Sequence, residues 1–186
     1  MSVLFLPECP TDCSGAVAPV LFDDCVPELH WGEVSEIYIV GFDPEFVPFT
    51  EGNITSLAEW LLRMDQENDD MIRRLTVIGE FTEAEITEVP YSGDRIAIGF
   101  KTFNLPFEVD ETSQTNYEFL LNLECGGHFR IWFETSDGVR YGGLEGIEAS
   151  VRLNLIIPRE RTALVKFMGN ITWKSLYSPF RNVTPF

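Results

Sequence analysis

The sequence has few basic residues and no long apolar run. It has 13 Lys and Arg against 30 Asp and Glu, so its formal net charge is −17. Because neutralising a phosphate backbone or an anionic lipid surface takes many Lys and Arg, this balance argues against nucleic-acid binding and against membrane binding. No run of about 18 apolar residues occurs, so we expect no membrane-spanning helix. The first nine residues also lack the basic segment of a signal peptide, which predicts a protein made in the cytoplasm.

Patterns for catalysis and cofactor binding are also missing. The chain has only two histidines, His30 and His128, which leaves little for general-base chemistry. No nucleophile elbow and no phosphate-binding loop occurs. Residues 65–70 lack the glycine and the final glutamate of a calcium loop. The acids lie in runs that are typical of solvated surface, so a small enzyme is a minor alternative. The sequence therefore predicts no enzyme, no cofactor, no bound metal and no small-molecule substrate.

The four cysteines leave three alternatives open. Cys9, Cys13 and Cys25 lie in a proline-rich first segment, and Cys125 stands far along the chain. Together with Cys125 or His30, the first three have donor types that bind zinc, but no second closely spaced pair supports this site. An N-terminal disulfide is the second alternative, and free thiols are the third. We expect free thiols.

Aromatic residues and alternating strands dominate the rest of the sequence. The 15 Phe suit a core made of packed sheet faces. Apolar residues alternate with polar ones over 146–157 and 165–173, the pattern of strands with one buried face. Helical spacing occurs over 57–65, where Leu57, Trp60, Leu61 and Met64 share one face, and again over 110–122. The predicted fold class is mainly β with minor α, an antiparallel β-sandwich or half-open barrel with a flanking helix and a protruding β-hairpin.

The hairpin is predicted over residues 79–100, within a central domain. We expect an extended N-terminal arm at 1–33, a β-sandwich domain at 34–177 and an irregular C-terminal tail at 178–186. The first hairpin strand is acidic and poorly buried, so it has no evident core inside its own subunit. Residues 95–109 change their buried face, which requires a bulge or bend near Lys101 or a switch of the buried face. We predict a strand that leaves one sheet and enters another.

Three segments resemble virion structural proteins of tailed bacteriophages. They are CVPELHWGEVSEIYI at 25–39, LAEW at 57–60 and YGGLEGIEASVRLNLIIPR at 141–159. The order of the elements also resembles that of tail tube proteins. The resemblance implies a β-sandwich with one flanking helix and a long hairpin, whose subunits self-assemble into stacked rings around a DNA-conducting channel.

On this interpretation the partners are copies of the chain and other virion proteins, and the location is the viral tail. DNA would pass an acidic lumen without specific binding. The candidate channel-lining residues are Glu134 and Glu148, taken as exposed acids on regular strands. The candidate assembly interface consists of Glu83, Glu85, Ile86, Tyr91, Pro185 and Phe186.

Two other classes of function remain open at this point. One is a capsid decoration protein or a head–tail completion protein, which also assembles. The other is a carbohydrate- or protein-binding β-sandwich module, in which Trp31 or Tyr91 would form an aromatic platform for the ligand. Ring symmetry, host and the face that lines a channel do not follow from the sequence.

Overall fold

The computed structural model describes residues 32–65, 71–91, 95–110, 113–160 and 162–183. The structure is mainly β, with 51% strand and 13% helix, which confirms the predicted class. The predicted N-terminal arm lies outside the described residues except for its last two positions.

The described part contains nine strands and two helices. They are β1 (Glu33–Gly41), α1 (Leu57–Met64), β2 (Arg73–Glu80), β3 (Glu85–Tyr91), β4 (Arg95–Val109), α2 (Gln114–Glu124), β5 (Gly127–Thr135), β6 (Val139–Tyr141), β7 (Ile147–Ile156), β8 (Lys166–Ser175) and β9 (Arg181–Val183). The strands at 147–156 and 166–175 pair with each other as predicted, and so do β5 and β6 across the turn at 136–138.

Six antiparallel strands close into a β-barrel in the order β1-β2-β4-β8-β7-β5. Closure depends on β1, which pairs with β2 along one edge and with β5 along the other. The predicted sandwich is not confirmed. Two facing sheets and one closed sheet both bury one side of every strand, so alternation in the sequence does not distinguish them.

Apolar side chains fill the inside of the barrel and both of its ends. Along β4 the inward residues Phe103, Leu105 and Phe107 are all buried. At one end α2 inserts Leu120 and Leu123 into the same core. At the other end aromatic rings stack, with the ring centres of Phe81 and Trp173 5.8 Å apart. The barrel interior is therefore a packed core and not a channel.

A second core lies outside the barrel, where α1 covers β1 and β5. The Trp60 indole is fully buried, and its Nε1–H donates to the carbonyl oxygen of Ile54 at 2.8 Å. Around it pack Tyr38, Phe49 and Trp132. The expected apolar stripe of α1 is only partly buried, because an eight-residue helix meets the sheet mainly through Trp60. Leu57 and Leu61 are exposed.

The C-terminal segment is more regular than the sequence suggested. Residues 181–183 form β9, which pairs with β6 at the edge of the sheet. A three-residue strand has too short an alternation to be recognised in a sequence. The predicted tail at 178–186 is therefore partly built into the subunit's own sheet.

Candidate assembly site

β3 and β4 form a long hairpin that begins on the barrel wall. β2 pairs with β4 where Ile78 lies opposite Glu108. Further along, the Thr82 amide donates to the carbonyl oxygen of Asn104 at 3.3 Å, and Glu85 lies opposite Thr102. Residues 78–91 thus follow β4 almost continuously. The turn at 92–94 lies outside the described residues.

The outer half of this hairpin extends past the barrel. β8 stops pairing with β4 at Lys101, which lies opposite Ser175. Beyond that point, residues 88–91 and 95–98 pair only with each other among the described strands. At about 3.4 Å per residue, β4 extends roughly 20 Å beyond the barrel. We call residues 85–100 the hairpin arm. The prediction placed its start at residue 79, but 79–84 lie against the barrel wall.

A β-bulge marks the base of the hairpin arm. From Ile86 to Glu88 on β3 there are two residue steps, whereas the facing positions of β4, Lys101 to Ile98, are three steps apart. A bulge near Lys101 therefore accounts for the change of buried face. The predicted passage of this strand from one sheet into another is wrong, because β4 changes neighbours within one sheet. A Cβ at Gly99 would lie 2.9 Å from the Thr87 carbonyl oxygen, which explains the glycine there.

The hairpin arm is exposed and carries both acids and apolar residues. Every residue from 85 to 90 is exposed. Ile86, Val89 and Phe100 have exposed fractions of 53%, 49% and 59%, which are high for apolar side chains. Both outer edges of the arm are unpaired among the described strands, and together with the exposed apolar side chains they form a surface suited to a partner chain.

The predicted interface residues fall into three groups. Glu83, Glu85 and Ile86 are exposed on the hairpin arm or beside its base, as expected. Tyr91 ends β3, but its side chain is not described. Pro185 and Phe186 lie outside the described residues, so the structure does not place them next to the hairpin arm.

The expectation that Glu134 is exposed is wrong. Glu134 is only 8% exposed and lies directly opposite Arg140 on the neighbouring strand. The Nε–H and an Nη2–H of Arg140 donate to Glu134 Oε2 at 3.1 and 2.6 Å. The guanidinium lies over the rings of Tyr38 and Trp60, 4.2 and 4.1 Å from their centres. α1 and β6 cover this part of β5, so Glu134 belongs to the second core and faces no channel.

Glu148 is exposed, as predicted. Its nearest cation is Arg130, whose Nη2 lies 3.9 Å from a carboxylate oxygen. A pair at this distance with an exposed carboxylate contributes little to stability.

A polar network borders the buried Glu134–Arg140 pair. The Tyr38 hydroxyl donates to Glu36 Oε2 at 2.6 Å, and the same carboxylate accepts a hydrogen bond from Arg74. Burial and the hydrogen bond to Glu36 raise the pKa of Tyr38 above its ordinary value. The hydrogen bond to Glu36 also raises the pKa of Arg74. These groups stabilise the neutral phenol and the charged guanidinium.

The histidines and cysteines that were considered for catalysis or metal binding are not grouped at one site among the described residues. His128 is exposed at the start of β5, and Cys125 is an exposed free thiol. Cys9, Cys13, Cys25 and His30 lie outside the described residues. Within the described part, no three His, Cys, Asp or Glu side chains are grouped to hold a metal. Neither α1 nor α2 has the length and apolar character that crossing a membrane requires.

Protein-family models, curated proteins and solved structures were compared with the chain, and none of them matches. The function is therefore inferred from the geometry of the chain itself.

Proposed function

We propose that the chain is a structural subunit that self-assembles through its hairpin arm, and that it forms the rings of a phage tail tube. The observation that carries this proposal is the arm itself: a strand pair that extends roughly 20 Å beyond the barrel and whose outer edges pair with no other described strand. Its acids and apolar residues find no covering surface within the described part of the subunit.

The energetics favour burial of the hairpin arm against another chain. An exposed strand edge has unpaired N–H and C=O groups that pair readily with a further strand. Ile86, Val89 and Phe100 are each about half exposed, so completing their burial contributes on the order of 1 kcal/mol per side chain. Assembly would pair the strand edges and bury these apolar side chains at the same time.

The packed barrel favours a channel that runs between the subunits of a ring over a channel through one subunit. Its interior is filled with aromatic and aliphatic side chains, so a channel for DNA would have to run between subunits. With a formal charge of −17 per chain, a lumen lined by acidic residues would be strongly negative. Such a lumen repels DNA phosphates and lets DNA pass without binding. Glu148, which is exposed on β7, is the remaining channel-lining candidate. Other virion proteins would bind the ends of the tube.

Electron microscopy and sedimentation velocity of the purified full chain test this proposal. We expect rings or tubes that form above a threshold concentration. A variant in which an Asn-Gly turn joins Glu85 to Thr102, replacing 86–101, keeps the barrel residues and removes the arm. It should remain monomeric, with the circular dichroism of a folded β protein.

A point variant distinguishes an effect on the contact made by the hairpin arm from a general effect of adding a surface charge. Ile86→Lys places a charge on the arm, whereas Ile157→Lys places the same charge on a 72% exposed residue elsewhere. Only Ile86→Lys should impair assembly. A wild-type chain that stays monomeric at high concentration would overturn the proposal. Small oligomers that coat capsids would favour a decoration protein instead.

A further inference from the structure

A slot opens in the barrel wall where β7 and β8 stop pairing. The ladder between these two strands ends at the facing residues Ser150 and Thr172. Beyond that point β7 still follows β5 as far as Ile147, and β8 still follows β4 as far as Ser175. Three residues on each strand therefore have no partner across the gap among the described strands. Because a strand directs its N–H and C=O groups alternately to its two sides, some of these groups point into the slot.

The floor of the slot is apolar. The slot contains a cavity of about 340 Å³, and its lining includes Ala149 and Trp173. Both residues belong to the barrel core and are only 2% and 6% exposed. A depression on the outer surface alone would not reach inward residues, so the cavity is an opening between the two strands. Its volume lies at the lower end of the range for small-molecule sites.

The rim of the slot has polar side chains that no described residue engages. The cavity is lined by the side chains of Thr102, His128, Ser150, Thr172 and Lys174. None of these five makes a side-chain hydrogen bond or an ion pair with another described residue. All five are exposed or half-buried. Their hydroxyl, imidazole and ammonium groups are therefore open to a molecule in the slot.

The charges on the rim balance each other, which favours a neutral ligand. Glu148 on β7 and Lys174 on β8 both line the cavity, but they form no ion pair with each other. The nearest cation to Glu148 is Arg130 at 3.9 Å, which does not line the cavity. A charged ligand would be attracted by one of the two lining groups and repelled by the other. A neutral ligand rich in hydroxyls donates to the carboxylate and accepts from the ammonium at the same time.

The spacing of the rim groups fits the hydroxyls of a sugar. Thr172 lies opposite Ser150, and Ser150 lies opposite His128 on the next strand. Neighbouring strands are about 4.8 Å apart, and residues on the same face of one strand are about 6.8 Å apart. Hydroxyl groups on opposite sides of a sugar ring are separated by comparable distances. We propose that the slot binds a neutral saccharide of one or two rings, with its C–H face against Ala149 and Trp173 and its hydroxyls against the rim.

Titration of the full chain with sugars tests this site. The probes are glucose, galactose, mannose and N-acetylglucosamine, together with the disaccharides maltose, cellobiose, lactose and chitobiose. Saturation-transfer NMR and calorimetry, at a protein concentration below the assembly threshold, should show at least one of them binding with a Kd of about 10 mM or lower. Glycerol at the same hydroxyl concentration should not displace that sugar, because it has no ring to cover the apolar floor.

Substitutions on the rim locate the bound sugar. Thr172→Val keeps the shape of the side chain but removes a hydroxyl, so it should weaken binding about two- to tenfold. Lys174→Met, which removes the ammonium, should have an effect of at least that size. Thr76→Val is the matched control, since Thr76 is an exposed residue of β2 outside the cavity lining, and it should change the Kd by less than about twofold. Ser150→Phe fills the slot and should abolish binding.

The outcomes separate this inference from the proposed function. The saccharide site is overturned if none of the eight sugars binds, or if a sugar binds the rim variants as tightly as the wild type. Circular dichroism checks folding; should Ser150→Phe misfold, Thr172→Val and Lys174→Met still provide the comparison. All of these variants leave the hairpin arm and Glu148 unchanged. A failed sugar titration therefore leaves self-assembly standing, and a chain that never assembles can still bind a sugar.

Discussion

Replacing Glu134 with Gln is the sharpest test of the second core. Glu134 accepts two hydrogen bonds from Arg140, and the guanidinium is only 1% exposed. Glutamine keeps the size of the side chain but removes the negative charge. The substitution therefore removes the Glu134 carboxylate from a guanidinium that lies over the rings of Tyr38 and Trp60.

The expected cost is large because the pair is buried. Removing one partner of a buried ion pair destabilises a protein by about 3–5 kcal/mol. The same change at Glu148, whose side chain is 62% exposed with Arg130 at 3.9 Å, should cost at most about 0.5 kcal/mol. The comparison is well matched, since both acids lie on barrel strands and both were candidates for a channel.

Urea unfolding, followed by tryptophan fluorescence below the assembly threshold, measures both values. The signal suits the purpose because Trp60 and Trp132 lie in the second core with the pair. E134L/R140M, which removes both charges of this pair, should lie closer to the wild type than E134Q, since the buried guanidinium is removed together with the carboxylate. If E134Q and E148Q give the same small change, the reasoning about burial is refuted.

Two further predictions concern pH and packing. Because the pKa of Tyr38 is raised in the folded state, folding favours the neutral phenol, so its contribution to stability is complete below about pH 10 and falls as the pH rises further. Tyr38→Phe should lose stability less steeply between pH 9 and pH 11 in a series of thermal unfolding scans, and a slope equal to that of the wild type would contradict the assignment. In Gly169→Ala the new Cβ would lie 2.3 Å from the Phe107 ring, which should cost about 1–3 kcal/mol in urea unfolding. Gly52→Ala, with nothing within 4 Å, should change stability by less than about 0.5 kcal/mol, and equal effects would show that Phe107 moves freely.

Local signals predicted the elements well where a pattern was long. The ten-residue alternation of β7 and the turn at 136–138 both gave correct strands. The face change near Lys101 was interpreted as a passage between two sheets, but the structure has a bulge within one sheet there. Short elements were harder to predict: β9 has only three residues, and α1 has apolar residues on more sides than the sheet covers.

The candidate site was predicted only in part. The exposure of Glu83, Glu85 and Ile86 was predicted, because they lie in an acidic segment for which the sequence shows no core to pack against. Glu134 looked like an exposed acid because it alternates with buried residues on β5. Its burial depends on Arg140 opposite it and on α1 above it, and neither neighbour is fixed by alternation along one strand.

By itself, the sequence determined which segments become strands, where the hairpin turns and that the chain is strongly acidic, because periodicity, turn residues and charge are local properties. Only the tertiary structure decided that β1 joins β2 to β5 and closes the barrel. It also decided that β4 continues past the last residue that pairs with β8, so that the hairpin arm leaves the barrel. Both results depend on strand register between residues far apart in the chain, and register is set by the packing of the whole sheet.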